Sequence, residues 1–154
     1  MMKLLHTLLA AAALSCASLA FAHSDEYLDT IVTPHGGQMR MAGMHHFELV
    51  VEQGTFTVYL TDHADQPVAS AGASGSATVL VGRNRSTIVL TPAGDNRLTG
   101  KGEFTLDAAM RVVLSISVAG QPAEQARFTP LAPRQVKAIA ADHSHDSTDA
   151  HHHH

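Results

Sequence analysis

The stretch His35–His46, HGGQMRMAGMHH, gathers three histidines and three methionines around three glycines. Imidazole nitrogen suits zinc, nickel and copper, whereas thioether sulfur is soft and selects copper(I). Calcium or magnesium would want clustered carboxylates, and this stretch has none. Methionine also holds copper(I) in an oxidising compartment without forming disulfides. The mixture therefore points to a transition-metal ion, copper first and zinc or another divalent ion second. The expected ligands are His35, Met39, Met41, Met44, His45 and His46. Each also has a plain structural role open to it: Met39 and Met41 as fillers on an apolar strand edge, His35 as a turn cap, His45 as a surface residue.

These donors need elements to bring them together. HFELVVE (46–52) and TFTVYLTD (55–62) alternate apolar and polar residues and are joined by Gln53-Gly54, which suits a tight turn. If Glu52 pairs with Thr55, then Phe47 faces Leu60, Leu49 faces Val58 and Val51 faces Phe56, all apolar on apolar. A shift of one residue would bury Glu48 and Glu52 instead. Continued outward, the ladder sets His46 opposite Thr61, His45 opposite Asp62 and Met44 opposite His63. Opposed residues have Cβ atoms about 4.5–5.5 Å apart, close enough for two side chains to share one ion. His63 thus joins the candidate ligands, and His46 lies beside Glu48 on the outward face. Gly36, Gly37 and Gly43 free the preceding segment to fold back, carrying His35, Met39 and Met41 toward the same end.

The rest of the chain supplies a frame. ATVLV, STIVLTP, RLTGKGEF, MRVVLSISV and AEQARFTP follow with turn signals between them. Seven short strands with turns at roughly ten-residue spacing predict an all-β fold, an antiparallel immunoglobulin-like β-sandwich. ASAGASGSA (69–77) is a small-residue crossing loop; no Lys-Ser/Thr follows it to make a phosphate cradle. The expected organisation is a signal peptide over 1–22, a His/Met-rich segment over 23–46, the sandwich over 47–130 and a disordered His-rich tail over 131–154.

The first of these segments sets the compartment. A basic start, an apolar run TLLAAAALSCASLAF and Ala20-Phe21-Ala22 read as a secretory signal, with no membrane span after cleavage. Cleavage after Ala22 would leave His23 first, its α-amine and ring nitrogen forming a chelating pair. It would also remove Cys16, the one cysteine of the 154 residues, and with it thiolate and disulfide chemistry. A cysteine-free secreted domain suits the bacterial periplasm. With formal net charge −4 and no basic run, nucleic acid is not an expected partner.

The run PHGGQMRMAGMHHFELVVEQGTFTVYLTDHADQPV resembles the small β-sandwich accessory domains of periplasmic adaptor subunits in heavy-metal efflux pumps, and stand-alone secreted proteins that share it. The resemblance spans about residues 33–105 and implies periplasmic metal handling, with ligand roles for His35 and His46. The lipoyl and hairpin domains of an adaptor are missing, so this chain would deliver metal to a pump or other acceptor rather than bridge one. A looser likeness is to cysteine-free periplasmic copper-resistance proteins with a processed histidine terminus.

The expected function is a periplasmic metal chaperone or buffer. The competing expectation is an envelope interaction module with incidental histidines. Catalysis is not expected: no nucleophile-elbow motif or substrate platform accompanies the serines, and an amino-terminal copper oxygenase would need more than His23 offers.

Overall fold

The computed structural model describes residues 22–134. The signal segment, Cys16 and the chain beyond Arg134 lie outside the described residues, as does the side chain of His23. A short helix, α1 (Ala22–Leu28), precedes eight strands: β1 (Gln38–Ala42), β2 (His45–Glu52), β3 (Thr55–Asp62), β4 (Ser74–Val81), β5 (Asn84–Pro92), β6 (Arg97–Lys101), β7 (Arg111–Ser117) and β8 (Glu124–Phe128). All pairings are antiparallel, in the order β1-β2-β3-β6-β5-β4-β7-β8.

The β2–β3 hairpin has the register its hydrophobic pattern dictates, with Phe47 opposite Leu60, Leu49 opposite Val58 and Val51 opposite Phe56. Those side chains enter a single core with Ile88, Leu90, Leu98, Leu114 and Ile116. Met110, fully buried, takes a bulky place in a core that has no tryptophan. β5 pairs with β4 for most of its length and then passes to β6 at Thr91 and Pro92. That crossing explains Gly100: a Cβ there would lie 2.4 Å from the Val89 carbonyl oxygen, so no side chain fits.

All seven sequence-predicted strands are present as β2–β8, and β1 is an eighth. Its ladder with β2 places Gln38, Arg40 and Ala42 opposite the inward-facing Leu49, Phe47 and His45. Two of the three inward positions are polar, and the apolar members of its alternation, Met39 and Met41, fall on the outward rows, opposite in phase to a core-facing strand. β1 and β8, the two edges of the sheet, lie against each other and nearly close a barrel. Side chains bridge this seam. Gln38 Oε1 accepts from the Thr129 N–H (2.8 Å), Glu124 Oε1 accepts from the Met44 N–H (2.9 Å), and Arg134 Nη1 donates to the Gly37 carbonyl (3.0 Å).

α1 packs against β1. The turn after it sends Asp29 to the buried Arg40, which donates to both carboxylate oxygens (2.8 and 2.9 Å) while Gln38 Nε2 donates to Oδ1. Burial pushes the Asp29 carboxyl up, but the hydrogen bonds from Arg40 and Gln38 and the charges of Arg40 and Arg134 outweigh it. Asp29 therefore titrates below the ordinary carboxylate range. At Asp25 burial prevails over the Arg40 charge, Asp29 adds repulsion, and the carboxyl is raised.

Candidate metal-binding face

The outward face of β1–β2–β3 carries most of the residues singled out by type. Two ladders fix its rows. Met39, Glu48 and Tyr59 share one row, and Met41, His46 and Thr61 share the next. Beyond them, the β1–β2 turn is Gly43-Met44. Gly43 takes φ 55° at its first position, and Met44 is left 69% exposed.

At the end of β3 the chain turns through Asp62–Gln66. Asp62 Oδ1 accepts from the N–H groups of Ala64 (2.8 Å) and Gln66 (2.9 Å), and Asp65 adopts φ 58°. This turn brings His63 back over His46, the ring centroids 5.1 Å apart at 27°. Asp65 Oδ1 meets His46 Nδ1 at 3.2 Å. An ionised carboxylate only accepts, so Nδ1 carries the proton and Nε2 of the neutral ring keeps its lone pair. Beside this pair the Thr61 hydroxyl is buried without a hydrogen-bond partner.

One row away, Glu48 is 2% exposed although it sits on the outward face. The His35-Gly36-Gly37 loop covers it. Oε1 accepts from the N–H groups of His35 (2.9 Å) and Gly37 (3.0 Å), while Oε2 accepts from His35 Nδ1 (2.8 Å). The His35 ring lies flat on Tyr59, centroids 3.5 Å apart. Gly36 supplies φ 73°, and a Cβ at Gly37 would stand 2.5 Å from the Leu49 carbonyl. Both glycines thus serve the clamp on Glu48. His35 is placed over Glu48 and Tyr59 rather than beside His46 and His63.

His45 is the Cα partner of Asp62, but their side chains separate. Asp62 caps its own turn, while His45, 8% exposed, turns inward and puts Nδ1 2.7 Å from Glu124 Oε2. Glu124, at the start of β8, lies 79 residues away in sequence and also receives the Met44 N–H. No local pattern announces it, nor Asp65 or Tyr59 as neighbours of the histidines; Thr61 is the cross-strand partner of His46 that the ladder predicts. The ladder ends at His45–Asp62, so Met44 does not lie opposite His63 as expected: Met44 occupies the β1–β2 turn, His63 folds back over His46, and Met41 stands across the ladder from His46. His45, His35 and Met39 are held elsewhere.

Among the described residues, no three His, Cys, Asp or Glu side chains are grouped so as to hold a metal ion. A cage of nitrogen and oxygen donors is therefore not preassembled there. What the face offers is two imidazoles with thioethers in adjoining positions. Comparison with family models, curated proteins and solved structures finds no match to this chain.

Proposed function

We propose that this end of the β1–β2–β3 face binds copper(I) through Met41, His46 and His63, with Met44 as an additional exposed donor. The protein would then serve in the periplasm as a copper chaperone or buffer, handing its ion to an efflux pump or another acceptor. The observation that carries the reading is His46 itself. Its ring stacks with His63, its Nδ1 is held by Asp65, and Met41 is its ladder partner. A carboxylate on one imidazole nitrogen orients the ring and raises the basicity of the other, as at protein metal sites generally. The unpartnered Thr61 hydroxyl adds a polar group that a metal-bound water could satisfy.

Copper is favoured over zinc by the donor set. Structural zinc takes tetrahedral N, S⁻ or O ligands, whereas the positions adjoining His46 include two thioethers, Met41 across the ladder and Met44 in the turn. Copper(I) accepts fewer and softer ligands, and thioethers select it. The exposed Met44 keeps one side of the site open, as transfer to a partner requires.

We read the frame as an immunoglobulin-like sandwich. Lettered A to G, strands β2–β8 lie in the order A-B-E-D and C-F-G of constant-type immunoglobulin domains. β5 passes between the two sides, and β1 is added outside strand A.

The test is anaerobic competition for Cu(I) against a chromophoric chelator. It uses the chain from His23 with His143, His145 and His151–His154 replaced by Asn. Tight 1:1 binding is expected, weakened at least about 100-fold in the Met41→Leu/His46→Ala/His63→Ala variant. Binding no tighter than free histidine, or binding indifferent to the triple change, refutes the proposal and leaves the interaction-module reading.

A further inference from the structure

We infer that the outward face of β4, β5, β7 and β8 docks on an anionic membrane surface through Arg83, Arg85, Arg111 and Arg127. The inference stands apart from the copper reading and survives its failure.

The register builds the face. Leu80 pairs with Arg85 on one side and with Arg111 on the other, so the two arginines flank it in one row. In the next outward row Thr87, Thr78, Val113 and Arg127 follow one another across all four strands. Arg83 stands in the β4–β5 turn, two residues before Arg85. All four arginines are exposed, and among the described residues none of them forms an ion pair.

Charge is segregated here. The chain has a formal net charge of −4, yet these four strands hold a single carboxylate, Glu124, and it turns inward to His45. Glu103 lines a cleft with Arg85 at the β5 edge but does not pair with it. Between the arginines the outward positions are short, so the guanidinium groups stand clear of a flat sheet.

Spacing selects the partner. Strands lie about 4.8 Å apart and residues about 3.4 Å along each, which sets Arg85 ~10 Å from Arg111 and ~16 Å from Arg127. Cations so spread call for an array of anions rather than one bound ion. A layer of lipid phosphates is such an array, and every arginine that reaches it adds attraction. Leu80, between two of the arginines, and Val89, 69% exposed, offer short apolar tips to the headgroup boundary. Among the described residues the face carries no aromatic side chain, the usual anchor of a protein interface; Phe128 of β8 is buried. In the sheet order β4 stands four strands from β2, and β7 four from β3, across the shared core. Docking therefore leaves the outward face of β1–β2–β3 open to solvent.

The experiment is flotation of the full mature chain with vesicles of phosphatidylcholine alone, or of an equimolar mixture with phosphatidylglycerol. The chain should float with the anionic vesicles only. It should be released when salt rises from about 0.1 M to about 1 M, as the Debye length shrinks from ~10 Å to ~3 Å. Each arginine at an anionic surface contributes about fivefold in affinity, so Arg85→Gln/Arg111→Gln should weaken partitioning about 25-fold. Arg97→Gln/Lys101→Gln removes the same charge from β6 and should leave partitioning within about twofold. Failure to float with anionic vesicles overturns the inference and leaves an acidic protein as the partner this face would fit. Equal losses from the two double variants overturn it as well, since overall charge and not this face would then govern binding.

Discussion

Replacing Glu48 by alanine gives the sharpest test of how the HGG loop is held. The carboxylate is almost fully enclosed and accepts three hydrogen bonds, two from main-chain N–H groups and one from the His35 ring. A buried donor left without a partner costs about 1–3 kcal/mol. The Gly37 N–H is buried and would bear this in full. The His35 side chain is 40% exposed, so water can reach that part of the loop and the remaining cost is smaller. Losing the buried charge also removes its desolvation cost, an offset that keeps the total below a simple sum. Glu48→Ala should therefore destabilise by about 2–4 kcal/mol. Glu48→Gln retains an oxygen for both main-chain donors and should cost only about 1 kcal/mol. Urea denaturation followed by far-ultraviolet circular dichroism measures both, with the slope of the transition checking that the unfolded state is unchanged. An alanine variant within about 0.5 kcal/mol of the parent, or a glutamine variant as damaging as alanine, would mean that Glu48 does not organise the loop.

Other substitutions separate structure from binding. His45→Ala should cost about 1–2 kcal/mol by unpairing Glu124 and leave Cu(I) affinity within about twofold; His46→Ala should do the reverse, which paired denaturation and chelator-competition measurements would show. Gly43→Ala combines strain at φ 55° with a Cβ 2.1 Å from Glu124 Oε1, so a loss of about 1–3 kcal/mol is expected, and adding Glu124→Ala should give less than the sum of the two losses. Gly100→Ala meets main chain instead of a movable carboxylate; thermal unfolding should fall much further, or soluble protein should not be recovered. Asp29, whose folded-state carboxyl titrates low, stabilises fully above its unfolded value near ~4 and loses that contribution as pH falls through the folded value. The stability gap between wild type and Asp29→Asn should hold at neutral pH and close in acid below about pH 4; a gap independent of pH there would contradict the Arg40–Asp29 assignment.

Period-two patterning was enough to place seven strands and to set the β2–β3 register residue by residue, because one slip would have turned Glu48 and Glu52 into the apolar core. It set His63 opposite Met44, whereas the ladder stops at His45–Asp62 and the turn that follows returns His63 over His46 instead. β1 was invisible for a physical reason. Its inward positions lie at the barrel seam, where Gln38 and Arg40 satisfy Asp29 and Thr129 in place of entering an apolar core. The fate of His45 was equally hidden, because its partner Glu124 comes from the last strand, and only closure of the sheet brings the two together. Local sequence reports which face a side chain takes, whereas the partner waiting there is set by topology.

The three carboxylate-bound histidines are distinguished by that topology. His35 and His45 are tied to Glu48 and Glu124, both well enclosed, and each pairing fastens one part of the chain to another: the HGG loop to β2, and the first hairpin to β8. Removing either histidine loosens the frame. Asp65, by contrast, is 74% exposed and belongs to the turn that also carries His63, so its hold on His46 joins nothing that the β2–β3 ladder has not already joined. A pairing so exposed adds little to stability, yet it fixes one ring nitrogen and leaves the other as the available donor. The same chemical pairing is thus structural in two places and orienting in the third. At the third, Met41 stands across the ladder and Met44 in the adjoining turn, the placement on which the copper proposal rests.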